Sequence, residues 1–258
     1  MMQTGGGWID CCATLGRSAV SAGKPCLVPR NLLADMDRLG IGETCCADVR
    51  AFESSAAAGN RLLCEAIRGY PRLHPVWVVL PAATEELPPP RQLLRHMADH
   101  GVRLVRAEPA RHNFSLREWG SGSLWSALES CRVPVLLDAG EQWSDLDGLL
   151  ASHPALPVIL TRIGYRCTRN LFPLLKARPN LHFELSSFIV NEGIAEVVRH
   201  FDTTRVLFGT DSPYWAPECA VGTLRFAGLA DAELQSVAGG NLRRLIGEAA
   251  ARLKEYAS

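Results

Sequence analysis

Eight short apolar runs, spread along the whole chain and separated by helix-like stretches, constrain the fold more than any other feature of this sequence. They lie near residues 7–12, 42–46, 76–80, 102–106, 133–137, 158–161, 181–185 and 206–209. Several of the intervals carry apolar residues at three- and four-residue steps: Leu32, Leu33, Met36 and Leu39; Leu62, Leu63 and Ile67; Leu93, Leu94 and Met97; Ile194, Val197, Val198 and Phe201. That spacing marks one face of a helix. Strands alternating with helices imply a parallel sheet. The runs are almost wholly apolar instead of alternating, as strands covered on both faces are. Eight such units in 258 residues match an α/β fold of the (β/α)8 TIM-barrel type. An open doubly wound sheet is the structural rival, weakened because no Gly-x-Gly-x-x-Gly follows the first run. No linker, repeat or low-complexity tract interrupts the pattern, so residues 1–258 read as a single domain.

Charge and cysteine content narrow the function classes. Lys+Arg and Asp+Glu both number 27, leaving no net charge to draw the chain to nucleic acid or a membrane surface. No apolar run reaches the roughly 18 residues of a spanning helix. The opening Met1–Gly7 lacks the basic start and apolar stretch of a signal peptide, so a cytoplasmic location is expected. The nine cysteines follow no disulfide or structural-zinc spacing. Cys11–Cys12 and Cys45–Cys46 are adjacent pairs in strand-like runs. Neighbours on a strand point to opposite faces, so neither pair is expected to chelate as a unit, and reduced, buried thiols are the expectation.

In a barrel of this type, chemistry gathers at the C-terminal ends of the strands. The first end reads Trp8-Ile9-Asp10-Cys11-Cys12-Ala13-Thr14-Leu15-Gly16 and the last Val206-Leu207-Phe208-Gly209-Thr210-Asp211-Ser212-Pro213. Both resemble the amidohydrolase-2 family, whose barrels open with a His-x-His pair and close on a metal-binding or proton-shuttling Asp. Gly240-Asn241-Leu242-Arg243-Arg244-Leu245 is similar to the family's terminal "G-N-x-x-R-L" element, and locally Asn241 is expected to cap a helix. By this resemblance Cys12 and Thr14 replace the paired histidines. Asp138, in Pro134-Val135-Leu136-Leu137-Asp138-Ala139-Gly140, and Arg162, in Val158-Ile159-Leu160-Thr161-Arg162-Ile163-Gly164, replace two more. Asp211 alone is kept.

The substitutions suggest charge replacement: Arg162 takes the place of a cation, gripped by Asp138 and Asp211 through forked hydrogen bonds. A metal ion beside a permanent guanidinium would be repelled by about 4 kcal/mol at ~4 Å. No cofactor is therefore expected, with a rebuilt zinc site of Cys12, Asp138 and Asp211 as the alternative. Two uses of the Asp–Arg–Asp cluster stay open: a structural plug, or Asp211 as general base with Arg162 as anion clamp. His112 is the remaining acid/base candidate. Arg106 and Arg166 are candidates to bind an anionic substrate, although Arg106 lies in an apolar strand and requires partners. Glu184 is expected to ion-pair inside the barrel. Tyr214 and Trp215 either wall the pocket, which Cys12 and Thr14 would line, or pack as a lid on the first loop. The reading is a hydrolase-type enzyme for a small anionic substrate. A catalytically inactive barrel that binds a metabolite or a protein partner is the alternative. A homodimer is compatible with either, though no self-complementary patch is visible.

Overall fold

A computed structural model of the chain describes residues 7–20, 23, 26–138, 140, 142–190 and 192–257. Residues 1–6, most of the stretch read above as lacking signal-peptide character, lie outside the described residues. The eight apolar runs correspond to eight strands: β1 (Trp8–Leu15), β2 (Ile41–Asp48), β3 (Leu73–Val78), β4 (Leu104–Ala107), β5 (Val135–Leu137), β6 (Val158–Leu160), β7 (Leu181–Glu184) and β8 (Val206–Leu207). They pair in parallel, in chain order. The barrel closes between β8 and β1, where the Cys11 amide donates to Phe208 O at 3.0 Å and the Thr14 amide to Ser212 O at 2.7 Å. Asp10 staples the same seam, accepting from the Thr210 amide at 2.9 Å and the Thr210 hydroxyl at 2.6 Å. The fold is a (β/α)8 barrel.

Apolar residues on alternate strand positions divide between two cores. Val105, Val135, Val158, Phe183 and Val206 pack outward against the helices, while Val76, Leu104, Leu136, Ile159 and Leu207 fill the barrel. Strand β1 breaks this alternation. Asp10 pairs with Thr44, but Ala13 pairs with Cys46, so three steps on β1 match two on β2. The extra residue is a β-bulge, and it places both Cys11 and Cys12 in the inner cluster. The expectation that these neighbours face opposite ways is corrected by that one inserted residue. Cys45 and Cys46 do divide, one inward and one outward.

The helices are α1 (Pro29–Leu39), α2 (Arg50–Glu53), α3 (Ala56–Ala66), α4 (Pro90–Asp99), α5 (Pro109–His112), α6 (Glu118–Ser130), α7 (Trp143–Ser152), α8 (Thr168–Ala177), α9 (Gly193–Phe201), α10 (Pro217–Arg225), α11 (Asp231–Gln235) and α12 (Asn241–Ala257). Helix α1 opens on a proline and stops at Gly40, whose φ of 76° only glycine adopts cheaply. Helix α3 lies so close to α2 that a β-carbon on Gly59 would come within 2.3 Å of the Ala51 amide nitrogen. Asn241 is not a cap. The chain runs through a π-helical turn at residues 236–240 straight into α12. The Asn241 amide instead donates to Thr203 O at 2.7 Å and Val206 O at 2.9 Å, fastening α12 to the start of β8. No helix among the described residues is long and apolar enough to cross a membrane.

Candidate active site

Four strand ends, of β4, β5, β6 and β8, bring a ring of charges to the mouth. Strand β4 carries Arg106 inward, next after Leu104 on the same face, with its side chain 1% exposed. A guanidinium cannot be buried without anionic partners, and Glu108, two residues on and on the same face, supplies them. Glu108 Oε1 lies 3.0 Å from Arg106 Nε and 2.8 Å from its Nη2. Arg106 Nη1 is 3.6 Å from Asp211 Oδ1, and its guanidinium sits over the Phe52 ring at 5.0 Å. Beyond β6, Arg162 Nε donates to Asp211 Oδ2 at 3.0 Å and Nη1 to Asp138 Oδ2 at 3.3 Å, with Glu108 Oε1 at 3.5 Å. Arg111 Nε approaches Glu108 Oε2 at 3.2 Å. Signs thus alternate around Asp138, Arg162, Asp211, Arg106, Glu108 and Arg111.

Each charge is kept by its neighbours. Burial opposes the Arg106 charge, but Glu108 and Asp211 outweigh it and push its pKa up. Burial would raise Glu108, yet Arg106, Arg162 and Arg111 hold it below the ordinary carboxylate value. Arg162 and Asp211 both adopt left-handed backbone, with φ of 57° and 47°. That conformation costs roughly 1–2 kcal/mol in a residue with a β-carbon, and here it turns both side chains toward the mouth.

Beneath the ring the interior stays acidic. Glu184 accepts from the Ser186 amide at 2.5 Å, the Ser186 hydroxyl at 2.8 Å and the Arg162 amide at 3.0 Å. Burial raises its pKa, and it makes no ion pair among the described residues, which corrects the expectation of one. Asp10 is pushed up to about 7, mainly by burial. The Cys11 hydrogen bond favours the Cys12 thiolate, but burial and the charges of Glu184, Asp10 and Asp211 together drive Cys12 up to about 12.

Of the residues singled out from sequence, Arg162, Asp138 and Asp211 come together as expected. Arg106 also joins them, but it is too buried to touch a substrate and serves as an internal counter-ion. His112 turns away: both ring nitrogens are buried, the ring lies toward the Ala51 backbone, and burial lowers its pKa below 6.5. It offers no acid or base to the mouth. Cys12 and Thr14 are both buried. Arg166 is exposed and donates to the Tyr165 hydroxyl at 2.9 Å, outside the ring. Tyr214 does wall the mouth, its ring 5.2 Å from the Arg162 guanidinium, and Trp215 is largely exposed beside it in sequence. Glu108 is the residue that sequence reasoning misses. The signal for Glu108 was present, since a buried Arg106 demands a carboxylate on its own face of the strand.

The amidohydrolase family profile matches residues 10–247. This chain belongs to the amidohydrolase family. Among curated proteins none matches the sequence. Solved structures share the fold of this amidohydrolase-family barrel at low identity. A 5-carboxyvanillate decarboxylase from Novosphingobium aromaticivorans, with bound manganese and a methoxy-hydroxy-nitrobenzoic acid, is 14% identical with a TM-score of 0.77, over 95% of this chain and 98% of that one. A dihydroxybenzoic acid decarboxylase from Polaromonas sp. JS666, with manganese and the inhibitor 2-nitroresorcinol, is 15% identical with a TM-score of 0.73, over 93% and 97%. A TIM-barrel protein from Bordetella bronchiseptica is 19% identical with a TM-score of 0.71, over 86% and 83%.

The bound manganese of the two decarboxylases overturns the expectation that no cofactor belongs to such a barrel. The donor set suggested from sequence, Cys12, Asp138 and Asp211, does not fit a metal as arranged. Asp138 Oδ2 and Asp211 Oδ2 both face Arg162, and a guanidinium fills the space between them. A deeper group does converge: ligand atoms of Asp10, Cys11 and Cys12 all lie within 4.8 Å of one another.

Proposed function

We propose that this amidohydrolase-family barrel is an enzyme acting on a small carboxylic acid held at the mouth, with Arg162 orienting the acid and Asp211 exchanging a proton. The observation that carries the reading is the half-engaged state of Arg162. Its Nε and Nη1 serve Asp211 and Asp138, whereas Nη2 has no hydrogen-bond partner among the described residues. A quarter of the side chain is exposed, beneath the Tyr214 ring. A carboxylate arriving there meets a guanidinium with a donor still free and an aromatic face for its carbon skeleton.

Asp211 Oδ1 accepts no hydrogen bond, so a lone pair is open to a proton taken from water or substrate. With Asp211 1% exposed, the substrate reaches it only when Arg162 swings toward the incoming anion. Family membership favours hydrolysis. The ligands of the two decarboxylases favour an aromatic carboxylic acid and add loss of carbon dioxide as the reaction to assay beside it.

The test is a calorimetric titration with benzoate and hydroxybenzoates, followed by turnover assays for ester, amide and lactone hydrolysis and for decarboxylation. Arg162→Met should weaken binding at least about tenfold, since a charge-assisted hydrogen bond is worth roughly 1.5–3 kcal/mol. Asp211→Asn should keep binding and lose turnover. Binding by both wild type and Asp211→Asn with no turnover by either would favour the inactive-barrel reading, which the self-neutralised ring supports. Absence of binding to any carboxylate would sink both.

A further inference from the structure

We propose that a cleft at the N-terminal ends of β5 to β8, opposite the mouth, binds a small oxyanion of the phosphate type through Arg132, Arg205 and Arg244. This inference does not rest on the carboxylate reading of the mouth, and the two sites share no residue.

Arg205, immediately before β8, is a half-buried cation held by groups that do not neutralise it. Its Nε donates to Leu181 O at 2.6 Å, and its Nη2 to Arg178 O at 2.5 Å and Leu175 O at 3.4 Å. These carbonyls of β7 and the end of α8 fix the guanidinium in place but carry no full charge. Arg205 forms no ion pair among the described residues; burial lowers its pKa, and Asp202 alone offsets that. Arg106, by contrast, is buried against Glu108 and Asp211. A cation withdrawn from water without an anion is costly, and an anion from solution supplies the partner that the chain omits.

Arg132 and Arg244 line the same cleft of about 380 Å³, with Asp202 and His182. They share one carboxylate, Glu248: Arg132 Nε lies 3.2 Å from its Oε2 and Arg244 Nη1 3.5 Å from its Oε1. The Arg132 contact lacks hydrogen-bond geometry. Among the described residues, Arg205 Nη1 and Arg244 Nη2 have no hydrogen-bond partner either. Asp202 is already occupied, accepting from the Thr204 amide at 2.6 Å and the Thr204 hydroxyl at 2.5 Å. Three guanidiniums against two carboxylates leave the cleft positive. His182 adds no charge, because burial, then Arg205 and Arg244, hold it down to about 3. Arg132 also sits at φ 50°, a conformation that glycine adopts at less cost, yet the position carries a cation. Unused donors on three separate elements suit an oxyanion with oxygens in several directions, whereas a planar carboxylate is matched by a single fork.

The experiment titrates the full chain with inorganic phosphate near neutral pH at constant ionic strength. Binding is followed by calorimetry and by the imidazole resonances of His182, assigned with His182→Gln. The expected result is one saturable site whose filling shifts the His182 resonances, while chloride at the same ionic strength leaves them in place. Arg244→Met and Arg132→Gly should each weaken phosphate at least about tenfold, the loss of one charge-assisted hydrogen bond. Arg132→Gly also relieves the left-handed backbone, so it should melt no lower than wild type, which separates lost binding from lost fold. Arg162→Met alters only the mouth and should leave phosphate affinity unchanged. Tighter binding of glycerol phosphate than of inorganic phosphate would support an organic phosphate as the ligand, and the reverse order the free ion. Binding that is lost in Arg162→Met but kept in Arg132→Gly would put the anion at the mouth and overturn the proposal. So would the absence of saturable binding, or binding that leaves the His182 resonances unmoved.

Discussion

Replacing Arg162 by methionine removes the one side chain that touches three carboxylates of the mouth, and the cost can be worked from the contacts. Asp211, at 3.0 Å and 1% exposed, loses its closest cation and retains only Arg106 Nη1 at 3.6 Å. Asp138, 29% exposed, falls back on water and loses little. Breaking a buried ion pair by deleting one partner costs about 3–5 kcal/mol. Arg162 is itself 25% exposed, and Arg106 remains, so the expected loss is roughly 2–3 kcal/mol. For a chain of this size that is a drop in Tm of roughly 5–10 °C. A double-mutant cycle with Asp211→Asn should return a coupling above about 1 kcal/mol by chemical denaturation. The backbone gives a second handle. Because Arg162 sits at φ 57°, Arg162→Gly should be about 1 kcal/mol more stable than Arg162→Ala, the reverse of the usual order. A coupling within ~0.5 kcal/mol of zero, with alanine the more stable of the two, would refute both the ring and the strain assigned to it.

Other expectations follow from single residues. Glu108→Gln leaves Arg106 buried with only the more distant Asp211, and should cost roughly 3–5 kcal/mol in a denaturant melt, more than Arg162→Met. His182, at the opposite end of the barrel with Nδ1 3.2 Å from Thr204 O, is held down to about 3 from 6.5 by burial and by Arg205 and Arg244. Between those pH values the unfolded chain takes up a proton that the folded chain refuses, so stability is full above 6.5 and falls as pH drops toward 3. Stability curves measured over that window should lose a few kcal/mol in wild type, at about 1.4 kcal/mol per unit, relative to His182→Gln. Gly59→Ala drives a β-carbon to 2.3 Å from Ala51 N and should cost about 3 kcal/mol. Gly148→Ala, in mid-α7 with open space around it, should stabilise by roughly 0.5–1 kcal/mol. Equal melting behaviour for these two glycine variants would contradict the packing described.

The fold was legible because its signal is repeated: eight apolar runs at barrel spacing survive an error at any one of them. The Arg162, Asp138 and Asp211 contact was legible for a related reason, as three strand ends must share one mouth. What escaped depends on single residues. The inserted residue in β1 leaves no mark in hydrophobicity, yet it reverses the face of Cys12 and turns two unrelated thiols into neighbours. His112 looked like a mouth residue because it follows β4, but the short helix α5 carries its ring back under the surface. Arg106 was taken for a ligand contact where burial makes it a counter-ion. Asn241 had the sequence context of a cap, and only the π-helical turn before it shows why its amide reaches β8 instead.

The seam between β1 and β8 joins residues 200 positions apart, Asp10 and Thr210, and this fixes an order of events during synthesis. Until residue 206 has left the ribosome, β1 and β7 are both open strand edges, ready to pair with other chains. For that whole interval Cys11 and Cys12 have no wall beside them, and the chain pays the closure entropy of its longest loop last. Asp10, made 200 residues before Thr210, therefore belongs to one of the last contacts completed. A nascent chain stalled before β8 would expose the thiols that the finished barrel hides.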